Sequence, residues 1–139
     1  MKKFIVSSIF LALAILPFLV GCQQSSSSQF KQKVGKEIYA VLANPGHVKL
    51  EGQRTLTQPE IQGLQAYLLN DEGYIFDRTK KCLFIPQQTI TFEGKDQVVV
   101  MVSFTCKQVK FIRGDQTVIL DTDPMAKEFE DHIHKELIK

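Results

Sequence analysis

The chain has no tryptophan, three cysteines and three histidines in 139 residues, and these scarcities narrow its chemistry at once. Gly-x-Ser-x-Gly and His-Glu-x-x-His are both absent, so neither the nucleophile turn of a serine hydrolase nor a paired-histidine zinc helix is encoded. There is no Cys-x-x-Cys, which removes the local geometry of a thioredoxin-like redox site. Charge of one sign is also lacking: 17 Lys and Arg stand against 15 Asp and Glu, whereas nucleic-acid recognition first requires a basic patch. Long apolar runs are absent except for one, Phe4 to Val20, interrupted by Ser7, Ser8 and Pro17. With 17 residues and a late proline, it is at the short limit for a bilayer span of ~20 residues.

That run has a context. Met1-Lys2-Lys3 precedes it and Leu19-Val20-Gly21-Cys22 closes it, so charged, apolar and small-residue regions follow in the order of a secretory signal. The segment resembles the lipobox signal of bacterial lipoproteins, and the resemblance covers residues 1 to about 24. It implies cleavage between Gly21 and Cys22, diacylglycerol on the Cys22 sulfur and a further acyl chain, such as palmitate, on the new amino group. One chain holds a protein marginally, at about 0.8 kcal/mol per buried methylene, whereas two or three make a stable anchor. Gln23 after the cysteine is similar to the pattern sent to the outer membrane, facing the periplasm, in a two-membrane cell. Lys2 and Lys3 leave with the signal, so 15 basic residues face 15 acidic ones in the mature chain.

The organisation expected is therefore a signal peptide at 1–21, a lipidated N-terminus and linker at 22–29, and a single α+β domain at 30–139. Gln23-Gln24-Ser25-Ser26-Ser27-Ser28-Gln29 contains no apolar residue and cannot bury enough surface to fold. As a flexible coil it would hold the domain on the order of 15 Å from the acyl chains.

From Phe30 the period becomes helical, with Phe30, Val34, Ile38, Val41 and Leu42 on one face and Ser28 as a cap. Gly35 lies inside that helix, at a cost of ~1 kcal/mol relative to alanine, and Asn44-Pro45-Gly46 ends it. Alternation predicts a short edge strand or extended arm over 47–56. Thr57 and Glu60 form a capping box with Pro59 in the first turn, and Leu56 and Ile61 occupy the positions of a hydrophobic staple. Ile61, Leu64, Tyr67 and Leu68 supply the buried stripe of this helix, and Tyr74-Ile75-Phe76 reads as a brief strand.

Cys82 and Cys106 are the second informative feature, because disulfides persist in an exported protein. Residues 82–92 and 97–106 both alternate, and a three-residue loop at 93–95 makes paired positions sum to 188, which sets Cys82 opposite Cys106 on the core face. Pro86 requires an irregularity in that strand. Two cysteines without nearby histidines fall short of a zinc set, so the expected bond is structural. An apolar strand ending in Cys106 after Cys82-x-x-x-Pro86 is similar to uncharacterised small bacterial envelope domains, a likeness that carries no activity.

Val109–Ile112 and Thr117–Leu120 form a last hairpin through Gly114-Asp115. Arg113-Gly114-Asp115 spells an adhesion tripeptide, but turn composition alone explains it. Asp123 before Pro124 reads as a helix N-terminus, followed by the stripe Met125, Phe129, Ile133 and Leu137. Glu128 with His132 and Asp131 with His134 are spaced to approach a cation, yet His132 and His134 point to different faces and a closed site needs three or four ligands. No metal, cofactor or catalytic residue is assigned.

The expectation is an α+β domain with an antiparallel sheet of about four to five strands, packed helices and one disulfide. The function expected is that of a membrane-anchored envelope lipoprotein, not an enzyme. It would act as an interaction module or accessory component of an envelope assembly, with the membrane and an envelope protein as partners and no nucleic acid. A periplasmic inhibitor or ligand-binding lipoprotein is the alternative.

Overall fold

The computed structural model describes residues 28–51 and 54–138. The expected signal segment, Cys22 and the first part of the linker lie outside the described residues. Two short helices open the fold, α1 (Gln29–Val34) and α2 (Lys36–Ala43). Strands β1 (His47–Leu50) and β2 (Arg54–Thr55) follow, then α3 (Gln58–Leu68) and a single tight helical turn at Asp71–Gly73. Four longer strands, β3 (Gln88–Glu93), β4 (Gln97–Ser103), β5 (Gln108–Arg113) and β6 (Gln116–Asp121), lead to α4 (Ala126–His132). A wider turn over Ile133–Leu137 closes the fold, with the Ile138 amide donating to the Ile133 carbonyl.

The strands form one antiparallel sheet in the order β2-β1-β3-β4-β5-β6. The α+β class is as expected, but there are six strands rather than four to five. The difference arises at 47–56, which is two strands rather than one. Glu51 turns the chain at φ 52°, β2 folds back on β1, and β1 is an inner strand between β2 and β3. Ile75 makes only an isolated bridge to Asp121 in place of the strand expected at Tyr74–Phe76.

Alternation sets the two faces. Leu50, Ile90, Val100, Phe111 and Val118 lie in register across five strands, flanked by Val48, Phe92 and Val98 on one side and Val102, Val109 and Leu120 on the other. These side chains join the buried residues of all four helices in one cluster. Phe30 is its hub: its ring stacks on Tyr74 at 5.1 Å and meets Phe111 edge-on at 5.3 Å. Tyr74 in turn donates its hydroxyl to the Leu68 carbonyl at 2.7 Å, and burial, with Asp71 nearby, pushes that phenol well above its ordinary range.

The helix ends follow their capping residues, with two corrections. The capping box at Thr57 is present, the Glu60 carboxylate accepting from the Thr57 amide at 2.8 Å, and the staple residues Leu56 and Ile61 are both buried. The first helix is not continuous: Gly35 adopts φ 89°, ψ 157° and divides it, a conformation essentially restricted to glycine. Nor does Asp123 start α4. Its carboxylate takes a 2.7 Å ion pair with Lys80 instead, a Thr122–Met125 turn intervenes, and the helix begins at Ala126.

Candidate functional site

Between Phe76 and Gln88 the chain leaves the ladder and crosses one end of the sheet's second face. Pro86 explains where pairing stops, because it has no amide to donate; the Gln87 amide is the first to bond β4, at the Val102 carbonyl. The crossing is pinned at its start by two buried side chains, Asp121 and Gln108, and at its end by exposed Gln87. Asp121, 1% exposed, accepts from Gln108 Nε2 at 2.8 Å and from the Lys80 amide at 3.0 Å. Gln108 Nε2 also donates to the Lys80 carbonyl at 3.1 Å. Gln87 Oε1 accepts from the Thr105 amide at 2.9 Å, which ties down the far end. A carboxylate taken out of water needs such donors, so these bonds fix the loop's path.

Cys82 and Cys106 form the expected disulfide, with Cα atoms 5.9 Å apart. Its setting differs from the expectation. Paired positions in β3 and β4 sum to 190, as in Gln88 with Val102 and Glu93 with Gln97, so the hairpin is two residues out of the expected register. A two-residue slip preserves parity, which is why Ile90, Phe92, Val98, Val100 and Val102 still face the core. Cys82, however, lies in the exposed crossing loop, and Cys106, itself buried, in the turn after β4. The bond staples loop to turn rather than strand to strand.

What the staple presents is apolar. Leu83 is 81% exposed and Ile85 56%, while the Phe84 ring lies 4.3 Å beneath the Lys110 ammonium. A shallow groove of about 570 Å³ runs beside them, lined by Thr79, Lys80, Lys81, Leu83, Phe84 and Ile119 among others. Ile119 belongs to the face opposite the core, which also carries Val99, Met101 and Ile112. These four remain half-buried and fall outside the core cluster.

Of the other candidate groups, Glu128, Asp131 and His132 line one open groove of about 320 Å³ with Tyr67 and Lys135, but Asp131 and His132 are each engaged separately. Asp131 pairs with Lys127 at 3.0 Å, and His134 packs against Phe104 and approaches Glu130 at 4.0 Å. His132 turns inward, its ring 5.1 Å from that of Tyr67 and close against Gly63. Among the described residues no three His, Cys, Asp or Glu side chains are grouped to hold a metal ion. Arg113 of the tripeptide is ion-paired to Asp96, which anchors the β3–β4 turn. The residues that sequence reasoning missed are Lys80, Gln108 and Asp121. They lie far apart along the chain, and only Asp121, at the end of an apolar strand, gives any local signal.

Among the described residues no helix is long and apolar enough to cross a membrane. The chain matches no protein-family model, no curated protein and no solved structure.

Proposed function

We propose that this protein is a lipid-anchored lipoprotein of the bacterial cell envelope, attached through Cys22, whose domain serves as a non-enzymatic interaction module for an envelope protein. The Leu19-Val20-Gly21-Cys22 motif supports the anchor. The observation that carries the interaction reading is the second sheet face, where Val99, Met101, Ile112 and Ile119 sit outside the core. An apolar surface rimmed by polar side chains is what a protein partner covers; here Thr89, Thr91 and Thr117 neighbour the four residues, and Lys110 stands between Met101 and Ile119.

Two measurements test the reading. Cells fed a fatty acid analogue should label the full chain, and Cys22→Ser should abolish the label, since serine lacks the sulfur to which the lipid is transferred. A photo-crosslinking residue at Met101 should capture a discrete envelope protein in living cells, whereas one at exposed Gln62 should not. Equal labelling of Cys22→Ser removes the anchor. Turnover of a cell-wall or phosphate-ester substrate, lost on changing Glu128, Asp131 or His132, replaces the module with an enzyme.

A further inference from the structure

We infer that the loop tip Leu83–Ile85 is a second membrane contact, one that seats its apolar side chains in the headgroup boundary of an anionic phospholipid bilayer. The first ground is that the tip is exposed yet held. Asp121 and Gln108 grip Lys80, the disulfide grips Cys82 and Gln87 grips the turn after β4. Leu83 and Ile85 therefore cannot fold away from water, and docking them orders little that is not already ordered.

The surrounding charge indicates what they dock on. Arg78 and Lys81 are exposed in the crossing loop, Lys107 is exposed in the turn to which the disulfide staples that loop, and Lys110 lies over Phe84. On the acidic side, Asp77 is exposed, Asp123 is engaged by Lys80, and the Asp121 carboxylate is enclosed by Gln108 and the Lys80 amide. Lysine is depleted from the cores of protein interfaces. Leucine, phenylalanine and isoleucine fringed by lysine are instead the composition of segments that enter the interface between headgroups and acyl chains, where basic residues meet lipid phosphate.

Position agrees, and this step alone rests on the anchored reading. Asp71 holds Ser28; four residues on, Ile75 bridges Asp121, whose carboxylate bonds the base of the loop. From Cys22 to Ser28 is six residues, a reach of at most about 20 Å. A lipid on Cys22 would thus keep the loop at high effective concentration beside the bilayer, and the loop would set which side of the domain faces it.

The absence of tryptophan provides the test. The full chain carrying Leu83→Trp is reconstituted into vesicles of phosphatidylethanolamine and phosphatidylglycerol, some with brominated acyl chains, alongside a Gln62→Trp control on α3. The Leu83→Trp reporter should emit to the blue and be quenched several-fold more than the control. Adding Lys81→Glu and Lys110→Glu, or replacing phosphatidylglycerol with phosphatidylcholine, should weaken the quenching. An unquenched reporter, quenching equal to the control, or a blue shift that requires an added protein each overturns the inference. Fatty-acid labelling in parallel separates the two readings: a labelled chain with an unquenched reporter sinks the loop contact alone, and an unlabelled chain with a quenched reporter sinks the anchor alone.

Discussion

The Asp71 carboxylate holds the beginning of the fold through Ser28. Ser28 Oγ donates to Asp71 Oδ1 at 2.5 Å while accepting from the Lys31 amide at 3.3 Å. The amides of Phe30 and Gln29 bond the two Asp71 oxygens at 3.0 and 2.8 Å. One carboxylate thus joins the first turn of α1 to the turn after α3, and sets Phe30 into the core beside Tyr74.

That arrangement predicts an acid-sensitive N-terminus. Burial pushes the Asp71 carboxyl up, but the hydrogen bonds from Ser28, Phe30 and Gln29 outweigh it and hold the group below its ordinary value. A carboxylate depressed in the folded state contributes stability that is complete above its unfolded value of about 3.9 and lost as the pH falls through the folded value. Asp71→Asn should cost about 1–2 kcal/mol at pH 7, allowing for partial exposure, and much less near pH 2. Urea titrations of both proteins at the two pH values measure this, and an equal difference at both would contradict it.

Legibility in the sequence follows the range of the interaction. The Thr57–Glu60 capping box and the alternating core face of β3 and β4 are local patterns, and both are found where they were expected. The two-residue β2 is too short to carry a period, so 47–56 reads as one strand until Glu51 is seen to turn it. The Cys82–Cys106 pairing was legible and its surroundings were not, because the loop's path depends on Asp121 reaching back 41 residues to Lys80. The apolar tip looked like a strand because Leu83, Phe84 and Ile85 are good strand residues; Pro86 and the polar pins overrule that propensity.

Gly35 offers a test in which the sign decides. In a continuous helix, Gly35→Ala would stabilise by ~1 kcal/mol. At φ 89°, ψ 157° a side chain is strained, and the substitution should destabilise by about 1–3 kcal/mol. The break is also integrated into its surroundings, since Gln116 Nε2 bonds the Val34 carbonyl at 3.1 Å. Thermal and chemical denaturation of Gly35→Ala distinguish the two, and a gain in stability would mean that α1 and α2 are one helix.

Because the disulfide joins a loop to a turn, its loss should loosen a region without dissolving the sheet. Its 24-residue separation corresponds to roughly 3 kcal/mol in the chain-entropy description, so reduction or Cys82→Ala should lower the melting temperature substantially. The β3–β4 and β4–β5 ladders contain neither cysteine and should keep their hydrogen-exchange protection. The amides expected to gain exchange are those of 80–87, a segment otherwise held chiefly at its two ends, at Lys80 and Gln87. Had the bond lain within the β3–β4 pair, reduction would instead weaken protection at Gln88 and Val102, where that ladder ends. Non-reducing peptide mapping establishes the bond, and exchange measured before and after reduction locates its effect. Loss confined to the loop supports a staple between loop and turn, whereas loss spread along both strands would place it in the sheet.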